Sequence, residues 1–167
     1  KKAVLAFRNG EESLVCVQAA LNYFNSAETY LTRMFTLEYS YWFDYMLPGL
    51  DRLKLPIPLG GTSNHFRIDR LRELGAWDPF NVTEDADLGF RLARHGYRTE
   101  VIATRTGEEA NCRVWPWVRQ RSRWLKGYLV TYFVHMRHPV LLWKLLGAWQ
   151  FFGFQAHFVT ALSQFIL

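Results

Sequence analysis

The sequence predicts an α/β fold followed by a basic helix and then an apolar one. Three observations carry this reading. Short apolar runs alternate with helical stretches that stop at glycine. Half of the 167 residues are hydrophobic, enough for a real core and too many for a disordered chain. Charge is also split along the chain. From Ala110 to Leu167 there is no Asp or Glu, while Arg113, Arg119, Arg121, Arg123, Lys126, Arg137 and Lys144 are basic. A near-neutral globular part therefore precedes a basic, aromatic tail, suited to a membrane surface, a nucleic acid or an anionic ligand.

The elements follow in order. Residues 1–7 fit a helix end closed by Gly10. Leu14-Val15-Cys16-Val17 reads as a buried strand, with residues 18–26 leading out of it. Residues 27–47 suit a helix stopped by Pro48-Gly49. Residues 56–63 read as a short strand that breaks into Gly60-Gly61, and residues 68–74 as a short helix ended by Gly75. Residues 83–95 suit a helix with a polar start, an apolar stripe at Leu88 and Leu92, and a stop at Gly96. A strand is expected at 100–103. A helix then runs from Pro116 to about Met136, closed by His138-Pro139.

Residues 145–167 contain no Asp, Glu, Lys or Arg and are long enough to span a bilayer core of ~30 Å. Gln150, Gln155, His157 and Gln164 would also suit a helix lying in the interface or packed beside others. A buried helix of a soluble protein is the plain alternative. The basic flank lies on the N-terminal side, which is expected to be cytoplasmic. Three regions result: 1–112, 113–138 as a basic interfacial helix, and 139–167 as a membrane helix.

Cys16 and Cys112 provide neither a disulfide framework nor a zinc spacing, which favours a reducing compartment. Aromatics at 17% favour membranes, sugars or stacked ligands over a generic core. The chain opens Lys1-Lys2-Ala3 without Met and stops within an apolar run at Phe165-Ile166-Leu167, so it reads as a piece of a longer protein.

Three motifs can carry chemistry. In Thr83-Glu84-Asp85, Thr83 can cap a helix whose first-turn acids complement the dipole. That structural role alone would account for the pattern. The chemical alternative is a general base presented at a helix start. In Gln120-Arg121-Ser122-Arg123-Trp124, helical spacing puts Gln120, Arg123 and Trp124 on one face, above Gly127. An amide, a guanidinium and an indole on one face can bind a phosphate and stack a sugar ring. A basic amphipathic helix on anionic lipid would explain the arginines equally, though not Gln120 beside Trp124. Gly60-Gly61-Thr62-Ser63-Asn64 lets backbone approach a ligand, but as an isolated run it is an ordinary turn. His135 and His138 lack a later acid to complete a metal set.

In combination these motifs resemble the processive family 2 glycosyltransferases, which include cellulose, hyaluronan and poly-N-acetylglucosamine synthases. Thr-Glu-Asp and Gln-x-x-Arg-Trp carry the resemblance, with Leu74-Gly75-Ala76-Trp77-Asp78 before them. The resemblance implies the acceptor half of a GT-A domain with a mixed sheet, joined to a membrane region and placed at the cytoplasmic face of a bacterial inner membrane. It makes Asp85 the catalytic base of an inverting transfer. Gln120 and Arg123 would hold the donor diphosphate, and Trp124 would stack under the acceptor sugar. Thr83, Glu84 and Arg121 join them as substrate-binding residues, with Gly61, Thr62, Ser63 and Asn64 lining the acceptor channel. The implied partners are a nucleotide-diphosphate sugar, a polysaccharide or glycolipid acceptor and a lipid bilayer, without nucleic acid.

The family's metal-binding Asp-x-Asp has no separate counterpart here, because Asp85-Ala86-Asp87 overlaps the base motif. Mg2+ or Mn2+ is therefore expected to be bound mainly by residues upstream of Lys1. The fragment by itself is expected to be inactive. Two alternatives stand beside this reading. One is a non-enzymatic basic module for membrane surfaces or nucleic acid; the other is a non-processive transferase that adds one sugar to a lipid carrier.

Overall fold

The computed structural model describes residues 1–163. Its centre is a three-stranded mixed sheet in the order β2-β1-β3. Strand β1 (Leu14–Tyr23) pairs antiparallel with β2 (Asn64–Phe66) and parallel with β3 (Arg98–Glu108). Because β1 is central and covered on both faces, it is apolar almost throughout. It runs well past the four residues expected. The reason is Gln18, which is polar yet fully buried, because its amide is used up by neighbouring backbone.

Helix α1 (Lys2–Asn9) precedes β1 as expected. Helix α2 (Tyr30–Ser40) starts from a reciprocal cap: Thr32 N–H donates to Thr29 Oγ1, and Thr29 N–H donates to Thr32 Oγ1. The expected stop at Pro48-Gly49 does not occur. The helix widens into a π-helical turn at Tyr41–Met46 and continues as α3 (Leu47–Arg52), so that Pro48 follows the widened turn without ending the helix. The strand expected at 56–63 is displaced too. That stretch carries buried Ile57 and Leu59 but, among the described residues, pairs with no strand, and β2 begins only at Asn64.

Helix α4 (Ile68–Glu73) and helix α5 (Glu84–Arg94) end close to Gly75 and Gly96, both at positive φ. Val15, Leu21, Phe43, Leu47, Leu59, Leu88 and Leu92 pack together between the sheet and these helices. Helix α6 (Val114–His135) and helix α7 (Pro139–Ser163) close the molecule.

Helix α7 corrects the bilayer span expected over 145–167. Among the described residues no helix is long and apolar enough to cross a membrane, and residues 164–167 lie outside them. Gly147 adopts φ 72° and interrupts the helix near its start. The stretch from 148 to 163 then reaches only about 24 Å at 1.5 Å per residue. It also lies along the body instead of leaving it. Trp149 Nε1 donates to Leu53 O (2.8 Å) and Gln150 Nε2 to Lys54 O (3.3 Å), while Phe154 and Phe158 pack on Phe90 of α5.

Candidate active site

The N-terminus of α5, the glycine turn after residue 59, the π-helical turn and the first half of α6 surround one cavity of about 360 Å³. Gln18 lies behind one wall and holds it in place. Its Nε2 donates to Thr62 O (3.0 Å), and its Oε1 accepts from Gly60 N–H (2.9 Å), so β1 fixes the turn from below. Gly61 then faces Asp85. A Cβ at Gly61 would lie 3.3 Å from Asp85 Oδ2, and glycine leaves that space open.

Asp85 lies in the first turn of α5, and Ala86 N–H donates to its Oδ1 (2.7 Å). Burial pushes its pKa up to about 6, and the neighbouring charge of Glu84 adds to the rise. A carboxylate of that strength is ionised at neutral pH yet basic enough to accept a proton. The capping role open to Thr83 is not the one it takes: its side chain makes no cap hydrogen bond. It is 4% exposed, and its Oγ1 pairs with Thr131 Oγ1 of α6 (3.3 Å) and Asn81 Oδ1 (3.3 Å). Gly127 of α6 sits directly on it, so that a Cβ there would meet Thr83 Cγ2 at 2.6 Å. Helix α6 thus crosses the start of α5 at close range.

That crossing brings Gln120, Arg121, Trp124 and Tyr128 into the same cavity as Asp85, together with Thr83, Glu84, Gly61 and Thr62. Trp124 stacks on Phe35 of α2 (6.3 Å, 11° between planes), and Phe35 stacks on Tyr23 (5.0 Å, 5°). Gln120 Oε1 accepts from Asn111 Nδ2 (2.8 Å). Arg121 donates through both terminal nitrogens to Glu38 and lies over Phe35, Trp117 and Trp124.

Arg123 departs from expectation. It is exposed and outside the lining, while Arg121 occupies the wall. At about 100° per residue, Gln120, Trp124, Tyr128 and Arg121 fall within one arc, and Arg123 lies about 60° beyond its edge. Ser63 and Asn64 also stand back from the cavity. Ser63, at φ 59°, pairs with Thr106, and Asn64 Nδ2 donates to Gly60 O.

Sequence reasoning missed Gln18, the aromatic wall of Tyr23, Phe35, Tyr39 and Trp42, and the role of Asp87. Asp87 is buried beneath the cavity, 2.9 Å from His135 Nε2, and its Oδ2 accepts from Arg91 Nε (2.7 Å). Burial would raise its pKa, but the hydrogen bonds and charges of His135 and Arg91 outweigh that and hold it below the usual carboxylate range. Arg91 donates onward to Leu74 O (2.8 Å) and Ala76 O (2.6 Å), locking the Gly75 turn to α5. Among the described residues, no three His, Cys, Asp or Glu side chains converge as metal ligands.

The chain is also similar to known proteins. The chain is 32% identical over 138 residues to the probable glycosyltransferase YdaM of Bacillus subtilis, covering 78% of this chain and 32% of that protein. It is 28% identical over 86 residues to the beta-1,4-mannosyltransferase bre-3 of Caenorhabditis elegans, covering 52% of this chain and 18% of that one. The chain therefore spans about a third or less of the length of these relatives. The family described as glycosyl transferase family group 2 matches residues 2–167, and the chain belongs to that family.

Proposed function

We propose that this chain is the acceptor-binding part of a membrane-associated, inverting glycosyltransferase that moves a sugar from a nucleotide diphosphate onto a polysaccharide or glycolipid hydroxyl. One observation carries the reading: the desolvated Asp85 carboxylate shares a cavity with the Trp124 indole and the open Gly61 turn. Trp124, backed by Phe35, offers a flat face to the C–H side of a sugar ring. Asp85 takes the proton of the acceptor hydroxyl as its oxygen attacks the anomeric carbon. The bond to the diphosphate oxygen breaks on the opposite face, and the bonding electrons leave with the nucleotide diphosphate. Attack and departure on opposite faces invert that carbon.

Arg123, exposed beside the cavity, is suited to the donor diphosphate, with Gln120 closer in. A divalent cation, Mg2+ or Mn2+, would be held by residues outside this chain. The exposed Trp115, Phe133, Trp143, Trp149 and Phe152 of α6 and α7, with Arg137 and Lys144 among them, suit a bilayer surface. A purely basic surface module would leave the cavity and the half-buried Asp85 without a use.

The test is Asp85→Asn in the full-length protein. Transfer should fall roughly 10²–10⁴-fold while donor binding stays near wild type. Turnover within a few-fold of wild type would remove Asp85 as the base.

A further inference from the structure

We propose that the cavity selects acceptor sugars that are uncharged or carry an amine, and turns away rings bearing a carboxylate or phosphate; this rests on the acceptor-site reading above. The argument begins with the charges in the wall. Glu38, Glu84, Asp85, Glu108 and Glu109 line the cavity, and among the described residues Arg121 is its only Lys or Arg. Arg121 cannot serve an anionic ligand. Both of its terminal nitrogens are engaged by Glu38, and its guanidinium lies 4.8 Å from the Phe35 ring, 5.4 Å from Trp124 and 5.5 Å from Trp117. Turning it toward a ligand would strand Glu38 and empty a three-ring cage.

The remaining carboxylates then face the ligand without a compensating cation. The effect is already visible on the protein's own groups: Glu84 helps to raise the Asp85 pKa, and Asp85 in turn adds to the upward shift that burial imposes on Tyr128. His157 does not offset the charge. It lines the same cavity at 6% exposure, and burial lowers its pKa to about 4, so it is neutral at physiological pH. Among the described residues its Nε2 has no hydrogen-bond partner, an orphan of the kind that a ligand hydroxyl satisfies. Stacked aromatic rings, an orphan imidazole nitrogen and surplus negative charge together describe a site for hydroxyl-rich or amine-bearing rings.

The test uses three tetrasaccharides on one β-1,4-glucan backbone: cellotetraose, its C6-oxidised uronate form, and the 2-amino analogue chitotetraose. Binding to the full-length protein is measured by calorimetry at low and high salt. The uronate should bind roughly tenfold or more weakly than cellotetraose at low salt, with the gap shrinking at high salt. Chitotetraose should bind at least as well as cellotetraose, and lose affinity as salt rises. Glu38→Gln frees the Arg121 guanidinium, and Glu108→Gln removes a wall charge without touching that pair. Each should narrow the gap by roughly threefold or more.

Equal or tighter binding of the uronate by wild type overturns the selection. A gap that neither variant narrows overturns its assignment to these carboxylates. Failure of all three sugars to bind, or binding unaffected by Trp124→Ala, overturns the acceptor-site reading and the inference with it.

Discussion

Asp85 and Asp87 stand two residues apart on one helix, and their surroundings drive them in opposite directions. Asp85 has its pKa pushed up to about 6 by burial, while His135 and Arg91 hold Asp87 low. As a base, Asp85 must be ionised, so kcat/KM should fall as pH drops through about 6, and this acid limb should vanish in Asp85→Asn. Stability runs the other way. A raised folded-state pKa favours the protonated form, so its contribution is fully present below the unfolded value near 4 and lost as pH rises through about 6. Asp85→Asn should therefore melt at a higher temperature than wild type at pH 7, with the gain disappearing toward pH 4. Asp87 stabilises above its unfolded value, and that contribution is lost as pH falls through its lower folded value. Asp87→Asn leaves the Arg91 guanidinium without its carboxylate partner and should cost about 3–5 kcal/mol in urea unfolding at neutral pH. On sequence alone both acids read as helix-start residues. What separates them is Arg91 one turn on and His135 across the fold, and only the former is visible locally.

At the scale of elements, the site depends on how closely α6 crosses α5. Gly127 presses against Thr83, which is buried and cannot retreat. Gly127→Ala should lift α6 away, costing about 1–3 kcal/mol by overpacking and reducing transfer, because Trp124 sits one turn before the contact. Urea unfolding and turnover measured together would check this; an unchanged midpoint would mean that α6 absorbs the methyl. The ends of α4 and α5 were legible in the sequence because Gly75 and Gly96 stop helices locally. The π-helical turn was not, since Pro48 signals a break that an extra residue per turn had already absorbed. Strand β1 was cut short for a similar reason. Gln18 looks like an exit from a strand until its partners, Gly60 and Thr62, are seen across the sheet edge. The cavity-facing arc of α6 was only partly legible, because helical spacing fixes which residues share a face but not where a wide cleft begins. That is why Arg121 holds the place expected of Arg123.

At the scale of the whole molecule, the membrane association proposed above turns on the course of α7. An apolar stretch was readable from composition, but its course was not: Gly147 breaks the helix, and the segments on both sides of it pack on α5. Val140, Leu141, Trp143, Leu145, Trp149, Phe152 and Val159 are exposed along it, with Lys144 among them. A helix held to Leu53 and Lys54 on one side and apolar on the other is suited to lying in the interface with its cation at the headgroups. Both ends of such a helix face one compartment, whereas a crossing helix puts them in two. Single cysteines at Lys144 and Ser163, in a full-length background with Cys112 replaced by Ser, separate these cases. In sealed vesicles both positions should react with a membrane-impermeant thiol reagent from the same side. A cysteine at Phe152, exposed on α7 and away from the ties to Leu53 and Lys54, should be shielded by lipid and become reactive when detergent is added. Labelling of positions 144 and 163 from opposite sides would mean that α7 leaves the body and crosses. The ties at Leu53 and Lys54 would then have to break, and the wall of the cavity that His157 and Thr160 supply from α7 would open with them.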